Sequence, residues 1–378
     1  MKIAVAGNYG ANNLGDEMIL EGLLETLLNI FPNAEIAVLS ANPADTEERH
    51  NVRSVHRFPS GFRSFLKGFF NRDERKKTIE AVKNCDFFVL GGGGLFGELS
   101  FKGNFIWATQ ALKAARYGKP IIMYGQSIGP IRNRFFRWFI KRLFQKAALI
   151  TVRDEASKER LKEWGIHKKI YLIPDIAFRK HRGLKSAMRQ QEMVIALRYL
   201  KNLPSNFVEK IAGFLNWLVS EQKYCLHFID LFPKDEIFYN KIAQFLPQNA
   251  LKHSSPKSSP ELLDIIHNAD FVLGMRLHSI IAAIQASTPF IAINYSSKIH
   301  DLLEHTDFKN WLIGMDLEKI QEKFLNIRTE SAKIKGFSRS LHDKHIQMES
   351  IIKKELINLC HGSIRRAKGR LGSPRQRS

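Results

Sequence analysis

The sequence contains 378 residues, of which 44% are hydrophobic and 25% are charged. This length and composition suit a globular protein with two domains, and they exclude a chain too polar to bury a core. The formal net charge of +21 is high for such a protein and has to be explained by a tail, a surface or an anionic partner.

The N-terminus reads MKIAVAGNYG, and residues 3–6 have the pattern of a buried strand rather than the apolar region of a signal peptide. No run of about 18 apolar residues, the length that spans a bilayer, occurs in the sequence. Cys85, Cys225 and Cys360 are isolated and lack metal-ligand spacing, as expected in a reducing compartment. These features predict a cytoplasmic protein without a metal site or a disulfide framework.

Strands and helices alternate through the first half of the chain. Residues 3–6 and 36–39 read as strands and residues 18–30 as the helix between them, which is the βαβ rhythm of a parallel sheet. The loop GNYGANNLGDE joins the first strand to the helix, but it lacks both the G-x-G-x-x-G spacing and the lysine of a P-loop. Within it, we predict that Asn13 contacts substrate. Asp16 is predicted to act as a general base or to bind a sugar hydroxyl, because the loop points from a strand end into a crevice.

Two further strand ends carry groups suited to ligand binding. Residues 87–90 form a predicted strand that runs into four glycines, where the missing Cβ atoms would let a ligand reach the backbone N–H groups of Gly92 and Gly93. The alternative is a tight turn. Residues 121–124 form the next strand, and Gln126 is predicted to contact substrate from the corner that follows it.

The positive charge is densest in two segments. Residues 131–146, IRNRFFRWFIKRLFQK, predict an amphipathic helix that either packs in the core with a basic back or contacts anionic lipid through Trp138 and its phenylalanines. Residues 361–378 are basic, contain Gly, Ser and Pro, and predict a disordered tail. Peripheral contact with the inner face of the plasma membrane therefore stays open, whereas no recognition motif favours nucleic acid.

The pattern predicts an α/β protein of two doubly wound, Rossmann-like domains that face a cleft. An N-terminal domain over residues 1–178 would carry the acceptor side, followed by a linker at 179–191 and a donor-side domain at 192–330. A helical segment at 331–360 and the basic tail complete the chain.

Cationic residues follow several of the predicted strands. Residues 271–273 form a strand that ends in Gly-Met-Arg-Leu-His, placing Arg276 and His278 at the start of a helix, and Lys298 follows the next strand. Arg153 and Arg198 follow two other strands. Carboxyl ends of parallel strands share one edge of a sheet, so these groups would converge on an anion. The alternative is that Arg276 pairs with a carboxylate between the domains, that His278 is a core histidine and that Lys298 is solvated.

Seven segments occur in one order: GNYGANNLGDE, GGGGLFGE, GQSIGP, VRDEAS, PDIAF, LRYL and GMRLHSIIAAIQASTPFIAINYSSKI. Together they resemble the polysaccharide pyruvyl transferase family over residues 1–298. The resemblance implies a glycosyltransferase-B-like fold and transfer of pyruvate from phosphoenolpyruvate to a sugar as a ketal, without a metal or other cofactor. The acceptor would be a cell-surface polysaccharide or its lipid-linked precursor.

The resemblance assigns Arg153, Arg276, His278 and Lys298 to phosphoenolpyruvate and Asp16 to the acceptor. Arg198 falls on a recurring arginine of the family and is predicted to bind substrate. Arginine forks suit the phosphate and the carboxylate of this donor. His278 is expected to be the acid, because histidine ordinarily titrates near neutrality. A nucleotide-sugar glycosyltransferase of the same fold is the alternative, since a helix N-terminus with an arginine or histidine also holds a diphosphate.

Overall fold

The computed structural model describes residues 1–59, 72–97, 101–179 and 190–371, without the side chains of 101, 102, 190 and 361–371. Its strands form two sheets in which every pair is parallel. The first sheet contains β1 (Lys2–Ala6), β2 (Glu35–Ser40), β3 (Arg53–His56), β4 (Phe87–Leu90), β5 (Gly93–Phe96), β6 (Ile121–Ile128), β7 (Leu149–Val152) and β8 (Ile170–Leu172). The second contains β9 (Gln190–Ala196), β10 (Cys225–Ile229), β11 (Leu251–Ser254), β12 (Ala269–Gly274), β13 (Phe290–Ile293) and β14 (Leu312–Ile313).

Helices cover both sheets. They are α1 (Leu14–Ile30), α2 (Pro43–His50), α3 (Arg72–Asn84), α4 (Phe101–Arg116), α5 (Arg134–Lys146), α6 (Glu155–Glu163), α7 (Phe207–Ser220), α8 (Glu236–Ala243), α9 (Ser259–Asn268), α10 (Leu277–Ala286), α11 (Ser297–Leu303), α12 (Ile320–Ile327) and α13 (Ser331–Leu371). Strands covered on both faces are expected to be continuously apolar. Phe87–Leu90 is buried at all four positions, as this arrangement requires.

The strand order of each sheet indicates where a ligand would bind. The first runs β3-β2-β1-β4-β6-β7-β8, with β5 beside β6, and the second runs β11-β10-β9-β12-β13-β14. The order therefore reverses between β1 and β4 in one sheet and between β9 and β12 in the other. Ligands bind outside the carboxyl ends of strands at such reversals. The predicted pair of doubly wound domains facing a cleft is confirmed, and the two reversal points lie on opposite sides of the cleft.

The domains contact each other directly and through the C-terminal helix. The backbone N–H of Leu14 donates to the Leu231 carbonyl across the cleft at 3.0 Å. From α13, Glu355 accepts a hydrogen bond from the Tyr171 hydroxyl of the first domain. Helix α13 thus starts after the second domain and returns to the first.

The structure differs from the prediction in the tail. Helix α13 continues to Leu371, although disorder was predicted from residue 361, because alanine, leucine, lysine and arginine are strong helix formers and outweigh the glycines. Residues 372–378, and residues 180–189 of the predicted linker, lie outside the described residues. Among the helices of the described ranges, none combines the length and the apolarity needed to cross a bilayer.

Candidate active site

A cavity of about 850 Å³ lies between the two domains, where the strand order reverses in both sheets. The predicted site residues that line it are Asn13, Asp16, Gly93, Arg153, Arg198, Arg276, His278 and Lys298. Residues far apart in the chain therefore meet at one place. The cations come from both domains, so the complete site depends on the closed arrangement of the domains.

Arg153 follows β7 and is held from behind by a carboxylate. Its Nη1 donates to Asp175 Oδ2 at 2.6 Å, and both side chains are 4% exposed. Burial alone would raise the pKa of Asp175, but Arg153 reverses this effect and the pKa of Asp175 lies below its ordinary value. Asp175 holds Nη1, and Asp154 Oδ2 lies 4.0 Å from Nε, so Nη2 and the second N–H of Nη1 are left for a ligand.

Arg276 immediately precedes α10 and, unlike Arg153, donates to a single carboxylate through two of its nitrogens. Its Nε donates to Asp235 Oδ2 at 2.8 Å and its Nη2 donates to Asp235 Oδ1. Burial raises the pKa of Asp235, and the two bonds from Arg276 oppose that rise. One face of the guanidinium also lies over the Phe232 ring, 5.5 Å from its centroid. Arg276 is thus fixed at two atoms, and Nη1 is the atom left for a ligand.

His278 lies in the first turn of α10, and its two ring nitrogens have different surroundings. Its Nε2 is buried and has no hydrogen-bond partner in the described part of the chain. The ring packs against Gly15, where an added Cβ would stand 2.1 Å from Nδ1, so only glycine permits this approach. The arrangement leaves Nε2 available to a bound ligand.

The electrostatic environment of His278 differs from the prediction. We expected this histidine to titrate near neutrality, but its pKa is lowered to about 4. Burial is the main cause, and Arg153, Lys298 and Arg276 add to the effect while Asp175 opposes it. The imidazole is therefore neutral at pH 7 when the site holds no anion.

Lys298 is the second residue of α11 and reaches across the cleft. Its Nζ donates to the Gly94 carbonyl of the first domain at 3.3 Å, and a Cβ at Gly94 would lie 2.3 Å from Nζ. The pKa of Lys298 is lowered to about 8, mainly by burial and also by the cationic neighbours Arg153 and Arg198, while Asp16 opposes them. An anionic ligand would relieve the repulsion among these cations.

Asp16 faces the cations from the first domain. The side-chain amides of Asn8 and Asn13 both donate to Oδ2, at 2.7 Å and 2.5 Å. In the described ranges no group donates to Oδ1. Burial raises the pKa of Asp16, whereas the two amides and Lys298 lower it. Asn13 therefore positions Asp16 as well as lining the cavity, and Oδ1 is available to accept a proton.

Two further arginines line the cavity, and only one of them, Arg198, was predicted from the sequence. Arg198 follows β9, donates to the Tyr295 hydroxyl at 2.8 Å and lies over the same ring. Arg57 follows β3 and lies over the Trp107 ring at 5.5 Å from its centroid. Sequence reasoning missed Arg57, although its position after a strand in a parallel sheet was the available signal.

Gly92 and Gln126 do not line the cavity. Strand β6 continues to Ile128 instead of ending at residue 124, so Gln126 is inside the strand and fully buried. Its amide donates to the carbonyls of Leu90 at 2.8 Å and Gly91 at 2.7 Å. At Gly92 an added Cβ would lie 2.6 Å from Ile176 Cδ1. Gln126 thus ties β6 to the end of β4, and Gly92 leaves room for Ile176.

Comparison with known proteins supports one family. The sequence model of the polysaccharide pyruvyl transferase family matches residues 13–297. The amylovoran biosynthesis protein AmsJ of Erwinia amylovora is 24% identical over 356 residues, covering 79% of this chain and 84% of that protein. The matched range contains every candidate residue except Lys298, which is the next residue after it.

Solved structures share the fold. Anabaena HepE (Alr3699), in complex with UDP and glucose, has a TM-score of 0.57 at 12% identity, covering 94% of this chain and all of that one. A putative UDP-N-acetylglucosamine 2-epimerase from Listeria monocytogenes has a TM-score of 0.60 at 11% identity, covering 92% of this chain and 90% of that one. The lipopolysaccharide outer core galactosyltransferase WaaB has a TM-score of 0.55 at 16% identity, covering 96% of this chain and 99% of that one. The predicted glycosyltransferase-B-like fold is confirmed.

Proposed function

The chain belongs to the polysaccharide pyruvyl transferase family, and on that premise we propose that it transfers pyruvate from phosphoenolpyruvate to a sugar as a ketal. The sugar would belong to a cell-surface polysaccharide or its lipid-linked precursor, in keeping with the similarity to an amylovoran biosynthesis protein. The proposal is carried by one observation: Arg153, Arg276 and Lys298 line the same cavity as His278, whose Nε2 has no hydrogen-bond partner among the described residues.

The charge of the site suits this donor. Phosphoenolpyruvate carries a phosphate and a carboxylate on three carbons, so both anionic groups must be neutralised within a small volume. The free part of the Arg153 fork can bond two oxygens at once, whereas Lys298 supplies a point charge. Arg276 and Arg198 line the same cavity and add further positive charge.

The reaction can be assigned to the residues present. His278, once protonated, donates its proton to C3 of the donor, and C2 becomes an oxocarbenium-like centre. A first sugar hydroxyl attacks C2, giving its proton to Asp16 Oδ1, and the C2–O bond to phosphate breaks. A second hydroxyl then attacks C2, gives its proton to the now neutral imidazole of His278 and closes the ketal, while Asp16 passes its proton to the released phosphate. Inorganic phosphate leaves, and the fixed cations stabilise the charge that develops on it.

We expect phosphoenolpyruvate to stabilise the protein against unfolding. A ligand at 100 times its Kd stabilises the native state by about 2.7 kcal/mol. Thermal unfolding with phosphoenolpyruvate, with UDP-glucose and without ligand measures this effect. Stabilisation by phosphoenolpyruvate alone supports the proposal, and stabilisation by UDP-glucose alone would favour a nucleotide-sugar glycosyltransferase instead.

Donor binding should also take up protons at His278. The pKa of this imidazole is about 4 in the free site, and a phosphate and a carboxylate beside it favour the charged form and raise the pKa. At about pH 6.5 Lys298, whose pKa is about 8, is already charged, so His278 dominates the uptake. Binding should therefore strengthen as the pH falls from 8 towards 6.

Calorimetric titration in two buffers of different ionisation enthalpy measures this uptake. His278→Gln serves as the control, because glutamine keeps a polar side chain but cannot be protonated. The parent should bind roughly one proton more than the variant for each donor molecule bound. Equal uptake by the two proteins would show that His278 does not become charged in the complex.

A further inference from the structure

An exposed aromatic surface lies on the first domain beside the cavity. We call it the aromatic patch; it consists of Phe105 on α4 and of Phe135, Trp138 and Phe139 on α5. Phe105 is 50% exposed, Phe135 64% and Trp138 51%, while Phe139 is half-buried between them. The Phe139 ring stacks on Phe135 at 6.4 Å between centroids and on Phe105 at the same distance. The patch is therefore one continuous surface made by two helices.

Packing of α5 on the sheet does not explain the patch. The side chains of Phe136, Ile140, Leu143 and Phe144 form the buried face of the helix. Phe135, Trp138 and Phe139 follow the i, i+3, i+4 spacing of a second apolar face that is turned to solvent. A helix that only needed to cover the core would be expected to be polar there. Helix α5 thus has two apolar faces, of which one is buried and the other is largely exposed among the described residues.

The α5 segment that carries most of the patch is basic. Residues 131–148 contain arginines and lysines but no aspartate or glutamate. In the described part of the chain, Arg134, Lys141 and Arg142 form no ion pair with a carboxylate. Arg142 instead lies over the Trp138 ring, 5.5 Å from its centroid. Aromatic side chains within a basic collar match an anionic bilayer surface, where rings enter the interface and cations meet lipid headgroups.

A second copy of the chain is a poorer occupant. An interface formed by two identical patches would bring the same basic residues together, and like charges at an interface repel. An anionic lipid surface has the complementary charge.

The patch also lies next to the cavity along both of its helices. On α4, Phe105 immediately precedes Ile106 and Trp107, which line the cavity. Gly129 and Pro130, just before α5, line it as well. The patch therefore lies beside segments that line the cavity from the first domain, the domain that also carries Asp16.

We propose that the aromatic patch docks the protein on an anionic lipid bilayer, with the first-domain side of the cavity towards the membrane. A saccharide on a lipid carrier could then enter the cavity while its lipid stays in the bilayer. This last step rests on the proposed function. Vesicle binding itself does not, because it requires neither donor nor acceptor, so the two proposals can fail separately.

Sedimentation of the full-length protein with phosphatidylglycerol–phosphatidylcholine vesicles tests the docking. The patch variant combines Phe105→Ala, Phe135→Ala and Trp138→Ala, all at exposed positions. The matched control is Phe245→Ala, which removes an aromatic ring that is 48% exposed in the second domain. The basic tail is present in every protein compared, so differences in vesicle binding report on the patch.

We expect the patch variant to bind anionic vesicles at least about 10-fold more weakly than the parent, and Phe245→Ala to bind like the parent. Arg134→Glu with Arg142→Glu should weaken binding more than Lys241→Glu with Lys252→Glu, which changes the net charge equally at exposed second-domain positions. Parent-like sedimentation of the patch variant would overturn the proposal. So would self-association of the parent that the patch variant lacks, because the patch would then join two copies.

Discussion

Replacing His278 by glutamine is expected to lower turnover by about 10²–10⁴-fold, the usual loss when a general acid is removed. The reason is geometric as well as chemical, since Nε2 is buried, has no partner in the described ranges and belongs to a residue that lines a cavity with several cations. Glutamine cannot deliver a proton to C3 of the donor. It remains polar and flexible enough to lie against Gly15, so the fold should be retained.

Three measurements separate this effect from a structural one. Phosphate release in the presence of an acceptor gives the turnover, calorimetry gives the affinity for phosphoenolpyruvate, and thermal unfolding reports on the fold. His300→Gln is the control, because His300 is on the neighbouring helix α11 but does not line the cavity. Turnover of the His278 variant within a few-fold of the parent would exclude the acid role.

Replacing Arg153 by lysine is expected to raise the Kd for phosphoenolpyruvate by about 10–100-fold, the loss expected for one or two hydrogen bonds to a charged group. Asp175 holds only one nitrogen of Arg153, so the native fork can reach two oxygens of the donor. Lysine keeps the charge beside Asp175 but presents a single ammonium group. Stability should therefore change less than affinity.

Arg276→Lys gives an informative comparison because Asp235 already occupies two nitrogens of that fork. The side chain of Asp235 is fully buried, so losing one of these bonds should lower the free energy of unfolding by about 1–3 kcal/mol. We expect Arg153→Lys to change mainly the affinity for phosphoenolpyruvate. Arg276→Lys should change both this affinity and the free energy of unfolding. An unchanged Kd in Arg153→Lys would mean that Arg153 does not bind the donor.

Much of the site could be predicted from the sequence because parallel sheets bring strand ends to one edge. The strand at Phe87–Leu90 has the predicted bounds. Arg153, Arg276 and His278 follow strands whose apolar runs are unambiguous, so their convergence followed from topology alone.

What could not be predicted depends on contacts between distant segments. Asp235 lies 41 positions before Arg276, and no local pattern shows that the two pair. Gln126 was placed in a loop because Gly125 resembles a turn residue, whereas the strand passes through Gly125 with φ +62° and continues. The lowered pKa of His278 required both its burial and the positions of three cations, which only the folded chain defines.

We propose that the chain adds pyruvate ketals to a surface polysaccharide. Mass spectrometry of that polysaccharide from cells with the gene, without it, and with the His278→Gln variant tests this most directly. We predict the mass increment of a pyruvate ketal only in cells with the parent gene. Ketals that persist without the gene, or a missing sugar in place of a missing ketal, would contradict the claim.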